Sequence, residues 1–222
     1  ARLTVELKPL SLERKASLNY LAKKERPRVQ IQIQNVVATE DLNQRLDLES
    51  VLSVAPEAKY EPEKFPGLVY RLRKPRTTTL LFTSGKMVCT GAKSEASANT
   101  AITRVVDELK AHRIVVMGKA TVRIENIVAS ADLGGTIALE DVAARLARTM
   151  YEPEQFPGLV YRMDEPNVVI LIFASGKLVI AGAKTEAEVK LAAEKLKDTL
   201  DKSRLISYGE SPRQKAASRD AR

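Results

Sequence analysis

Phenylalanine occupies positions 65, 82, 156 and 173 and no others in the 222-residue chain. The members of each pair are 17 residues apart, and the second pair repeats the first at an offset of 91. Rings placed so regularly cannot exchange protons or attack a substrate; their chemistry is stacking and wedging. Groups suited to covalent work are scarce. Cys89 is the single cysteine, which excludes an internal disulfide and fits a reducing compartment. His112 is the single histidine, so neither a zinc site nor histidine-based catalysis is expected. No carboxylate pair recurs with acid–base spacing, and the repeated Ser-Gly-Lys corner lacks the rest of a phosphate-loop pattern. No cofactor, no metal and no enzymatic activity are expected.

The rings sit in longer repeated stretches. FPGLVYR stands at 65–71 and again at 156–162. IQNVVA (33–38) matches IENIVA (124–129), and LLFTSGKMVCTGAKSE (80–95) matches LIFASGKLVIAGAKTE (171–186), without a gap from Asn35 through Lys93. Two copies this long are too few for a solenoid and read instead as two half-domains with approximate two-fold symmetry.

Each copy prescribes the same elements. A strand (31–38, 122–129) leads to a helix near 41–54 or 137–149, where apolar residues recur at intervals of 3–4. Three strands follow, two of them joined at the Ser-Gly-Lys corner as a hairpin. A closing helix starts at SEASANTAITRVVDELK or TEAEVKLAAEKLKDTL, the latter with an expected capping box from Thr185 to Glu188. Hairpins make the sheet antiparallel, and two helices per half on one face leave the other face open.

Alternation along the strands assigns the faces. Val169, Leu171 and Phe173 oppose Ile170 and Ile172, and Val179 and Ala181 oppose Leu178 and Ile180. Ile33, Asn35 and Val37 are expected to share a face, as are Ile124, Asn126 and Val128. Both faces of the middle strands are apolar, so one is core and the other a candidate interaction surface.

The net charge of +8 comes from the ends: residues 1–29 carry +5 and residues 201–222 carry +3, while the centre holds 22 charges of each sign. Cations nevertheless flank the repeated motifs, at Arg71, Arg76, Lys86, Lys93, Arg162, Lys177 and Lys184. An apolar sheet with paired aromatic rings and a basic rim suits the DNA minor groove: rings unstack base steps, apolar side chains fill the floor, and Lys and Arg reach phosphates.

The order QN-V, FPGLVYR, LxF-SGK-V-TGAK, present twice over about residues 30–205, resembles the TATA-box-binding protein family. The resemblance implies an α+β fold of two pseudo-symmetric repeats forming a saddle: a curved ten-stranded antiparallel sheet with four helices on the convex face. It implies repeats at 30–120 and 121–208, flanked by a basic arm (1–29) and a basic, disordered tail (209–222). Phe65 and Phe82 would wedge into one end of the DNA site, and Phe156 and Phe173 into the other. Asn35 and Asn126 would donate to base acceptors at the centre, Val37, Val128, Val88 and Val179 would line the groove floor, and Thr90 would act as a central donor. Arg71, Arg76, Lys86, Lys93, Arg162, Lys177 and Lys184 would contact phosphates. Glu152, Glu154 and Gln155 would form the docking loop for transcription factor B. The implied partners are double-stranded promoter DNA, transcription factor B and the RNA polymerase pre-initiation complex, with a weak homodimer off DNA. A general initiation factor is the expected role, in the nucleoid of an archaeon or in a eukaryotic nucleus; the short arm looks archaeal. The competing expectation is a saddle-shaped protein-interaction module that does not bend DNA. Four positions depart from the family pattern: Ala181 replaces a threonine, Asn167 a basic residue, and Asp164–Glu165 stands where the first half has Arg73–Lys74.

Overall fold

The computed structural model describes residues 27–115 and 121–209, and residues 29–207 form one compact unit. Residues 1–26 and 210–222, which hold most of the expected arm and tail, lie outside the described residues. The mixed-charge segment SLERKASLNYLAKKERPR (11–28), whose sequence predicts a short helix ended by Pro27, also lies mostly outside them.

The first half runs β1 (Gln30–Asp41), α1 (Leu48–Val54), β2 (Ala58–Lys59), β3 (Gly67–Leu72), β4 (Thr77–Phe82), β5 (Lys86–Ala92) and α2 (Glu95–Ala111). The second runs β6 (Arg123–Asp132), β7 (Thr136–Ile137), α3 (Leu139–Arg145), β8 (Thr149–Met150), β9 (Gly158–Met163), β10 (Val168–Phe173), β11 (Lys177–Ala183) and α4 (Glu186–Lys202), followed by β12 (Ile206–Ser207). Ten of these strands form one antiparallel sheet in the order β2-β3-β4-β5-β1-β6-β11-β10-β9-β8, and β7 pairs with β12. The halves meet where β1 pairs with β6. Val36 lies opposite Ile127, its own counterpart at the 91-residue offset, so the approximate dyad passes between these two residues.

Period-two patterning divides the sheet. Val36, Ala38, Leu81, Met87, Ile127, Ala129, Ile170, Ile172, Leu178 and Ile180 are buried, with α2 packed on β5, β1 and β4, and α4 on β11 and β6. The alternate residues Val37, Val69, Leu80, Val88, Val128, Val160, Val169, Leu171 and Val179 are only half-buried. They form an apolar face opposite the helices.

Several expectations are corrected. Ile33 and Ile124 do not share a face with Asn35 and Asn126. The ladder shifts at Gln34 and again at Glu125, so Ile33 pairs with Ala129 and Ile124 with Ala38, both fully buried partners on the helix side. An extra residue in one strand reverses the alternation beyond it. The first helix of each half is also shorter than 41–54 or 137–149. Leu42 and Leu46 donate their backbone N–H groups to Gly85 and Thr83 on the β4–β5 corner, holding 42–47 out of helical geometry. Leu146, already extended at φ −95° and ψ 126°, stops α3 at Arg145, short of 149. The edge strands β2 and β8, which complete the ten-stranded sheet that the family resemblance implies, are not located by the residue pattern, and the small β7–β12 sheet is not anticipated. Two-residue strands carry no alternation to read, and short edges offer little to a pairing partner.

Helix starts follow their capping chemistry. Ser94 and Ser97 form a complete capping box on α2. At α4, Thr185 Oγ1 accepts from Glu188 N at 3.1 Å as expected, but Glu188 Oε2 accepts from Lys184 N at 2.6 Å, one residue before the cap. The buried stripe of α4 is Val189, Ala192, Ala193, Leu196 and Leu200.

Candidate nucleic-acid interface

The face opposite the helices carries two aromatic pairs. Phe65 meets Phe82 edge to face with centroids 6.0 Å apart, and Phe156 meets Phe173 at 5.9 Å. Phe65 is 37% exposed and Phe156 39%, whereas the inner ring of each pair is half-buried. Each ring pair rests on a glycine. A Cβ at Gly67 would come within 2.7 Å of Phe65 and 3.0 Å of Phe82; at Gly158 the distances would be 2.6 Å to Phe156 and 3.0 Å to Phe173. Only hydrogen at these positions lets both rings lie against the strand. Gly67 and Gly158 are candidate site positions that the sequence reading missed, although the repeated Phe-Pro-Gly marked them.

Two amides flank the dyad. Asn35 lies opposite Val128, and Asn126 opposite Val37. Gly91 N donates to Asn35 Oδ1 and Gly182 N to Asn126 Oδ1, both at 2.8 Å. These glycines have φ of 95° and 104°, a left-handed geometry that side chains disfavour, and it turns their N–H groups toward the amides. With each Oδ1 accepting from a backbone N–H, the orientation of both amides is fixed. Thr90 adds a reciprocal contact in the first half, accepting from Asn35 Nδ2 at 3.2 Å and donating to Oδ1 at 3.3 Å. Ala181 has no equivalent. Val37, Val88, Val128 and Val179 surround these groups on the same face.

All seven candidate phosphate ligands are exposed. Arg71 lies opposite Thr78 and Arg162 opposite Val169, on the apolar face, while Lys86 and Lys177 begin β5 and β11 beside Asp41 and Asp132. Arg71, Arg76 and Lys93 line one groove with Thr78 and Thr90. Lys93 donates to Gln34 O at 2.5 Å, and Lys184 to Glu125 O. Lys184 also meets the Glu125 carboxylate at 3.5 Å, which reduces the positive field on that side. The Thr39 hydroxyl, donating to Glu125 Oε1 at 2.8 Å, together with Lys184, holds the Glu125 carboxyl below the usual glutamate range.

Asp164 alters the second half less than its charge suggests. Arg73 pairs with Glu57 at 3.2 Å, and at the corresponding positions Asp164 pairs with Arg148, the same ion pair with its signs exchanged. Asn167 is exposed and leaves the site corresponding to Arg76 without a cation.

Glu152, Glu154 and Gln155 form an exposed turn in which Gln155 N and Phe156 N donate to Glu152 O, each at 3.0 Å. The first half has the same turn, but there Lys64 neutralises Glu61 at 2.6 Å. Gln155 cannot do this, so the second-half turn stays acidic.

The family model described as transcription factor TFIID, or TATA-binding protein, matches residues 30–112 and again 121–203. The chain belongs to this family. A TATA-box-binding protein from Pyrodictium occultum is 51% identical over 185 residues, covering 83% of this chain and 93% of the relative. One from Methanocaldococcus jannaschii is 50% identical over 171 residues, covering 77% and 93%. The solved structure of Methanococcus jannaschii TBP superposes with a TM-score of 0.71 at 49% identity, covering 78% of this chain and 99% of that one. The family accounts for the two repeats, the ten-stranded antiparallel sheet and the four helices. Membership places the chain among DNA-binding transcription initiation factors and outside the enzymes.

Proposed function

We propose that the helix-free face binds the minor groove of A·T-rich, TATA-like promoter DNA, and that the two phenylalanine pairs wedge between base steps and kink the duplex. The observation that carries this reading is the pair of edge-to-face ring clusters, each seated on a glycine and each partly exposed at symmetric positions. Apolar side chains between them match a groove floor, and Asn35 and Asn126 present amide donors where an A·T pair offers only acceptors. The exposed cations at the rim complete the contact with phosphate. The acidic turn at Glu152, Glu154 and Gln155 recruits transcription factor B, which brings RNA polymerase. Action at the nucleoid accords with the archaeal relatives.

An electrophoretic shift comparing TATA-like with G·C-substituted duplexes tests the reading, with and without transcription factor B. The TATA-like duplex is expected to bind preferentially, and Glu152→Lys is expected to lose the ternary complex while keeping the binary one. If the cationic rim neutralises about five to eight phosphates, log K falls against log salt with a slope of about −4 to −7. A slope near zero would favour a protein-contact module instead.

A further inference from the structure

The two halves treat their central amides differently. In the first half, Asn35 Oδ1 accepts from both Gly91 N (2.8 Å) and the Thr90 hydroxyl (3.3 Å), which uses its two lone pairs. In the second half, Asn126 Oδ1 accepts from Gly182 N at 2.8 Å and from nothing else among the described residues. The neighbouring cross-strand pair also changes, from Thr78 opposite Thr90 to Val169 opposite Ala181. Ala181 thus leaves a recess where Thr90 has a hydroxyl and a methyl group, and an open lone pair borders that recess.

Resting on the minor-groove reading above, we infer that the Ala181 side of the dyad admits a G·C pair that the Thr90 side rejects. The feature distinguishing G·C from A·T in the minor groove is the guanine N2 amino group. Beside Ala181 this group has room and can donate to Asn126 Oδ1, while Asn126 Nδ2 still donates to the cytosine O2. Beside Thr90 the hydroxyl and methyl group occupy that space and Asn35 Oδ1 already holds two donors, so the amino group cannot come within reach of the amide oxygen. Ala181 therefore determines specificity, and it gives the near-symmetric sheet a direction on its site.

The test uses a self-complementary alternating T·A duplex and a derivative in which one of the two central pairs is G·C. The full chain carries an iron chelate on Ala174→Cys, at the exposed β10–β11 corner; Cys89 is fully buried and does not compete for the label. On the parent duplex, cleavage is expected equally on both flanks. On the G·C duplex it is expected on one flank only, with affinity within about fivefold of the parent, less than the roughly fivefold to 150-fold loss that a single base-pair change ordinarily brings. Inosine·cytosine, which lacks the N2 amino group, is expected to restore equal cleavage. Ala181→Thr is expected to bind the G·C duplex roughly tenfold more weakly than the unsubstituted chain, with no preferred flank. Equal cleavage on the G·C duplex, or one-sided cleavage that persists with inosine, overturns the inference while leaving the groove reading intact. Absence of binding to the parent overturns both.

Discussion

Glu95 and Glu186, related by the 91-residue offset, each cap the other's helix. Glu95 N donates to Glu186 Oε1 at 2.9 Å, and Glu186 N donates to Glu95 Oε1 at 2.6 Å. The first turns of α2 and α4 are thereby joined on the helix side of the dyad. Each carboxylate satisfies a free N–H and lies at the positive end of a helix dipole. Replacing both glutamates by alanine is expected to cost about 1–2 kcal/mol, measured by denaturant unfolding. Two glutamines, which keep the acceptors and lose the charge, should recover part of it. An unchanged midpoint for the alanine pair would show that the exchange contributes nothing in solution.

The glycine seats make a separate prediction. Gly158→Ala puts a methyl group against the ring edges of Phe156 and Phe173, and turning these partly exposed rings out of the way is expected to cost about 0.5–1.5 kcal/mol. The rings move because they are the adjustable partner, so loss of DNA bending should exceed loss of fold stability. Gly67→Ala should do the same at the other end. Bending equal to that of the unsubstituted chain would mean that the rings do not need these seats.

Glu125 gives a pH-dependent signature. Its carboxyl is held below the usual range first by the Thr39 hydroxyl and then by Lys184. A depressed acid favours the folded state above the ordinary glutamate range, and that contribution is lost as pH falls through the folded value. Carboxyl-carbon NMR titration should find Glu125 titrating below free glutamate, and Thr39→Val should move it upward. A normal value in the intact chain would show that the contact does not persist in solution.

Much of this was legible in the sequence because the repeat presents the same solution twice. Alternation in VILIF and KLVIA separated Val169, Leu171, Phe173 and Val179 from Ile170, Ile172, Leu178 and Ile180 as the sheet does, but with both groups apolar it left open which of them faces the helices. Alternation failed at Ile33 and Ile124 because the bulges at Gln34 and Glu125 are set by cross-strand register, to which a single strand is blind. The seats at Gly67 and Gly158 depend on a ring two residues before them and another across the ladder. The exchange of Glu57–Arg73 for Arg148–Asp164 was hidden because only one member of each pair falls in an obviously repeated motif.

The central claim is that the open face bends what it binds. Fluorescence transfer across an end-labelled A·T-rich duplex reads this directly. The unsubstituted chain is expected to shorten the end-to-end distance sharply on binding, and Phe156→Ala with Phe173→Ala should abolish most of that change at one end. Tight binding by the unsubstituted chain with no change in transfer would contradict the account.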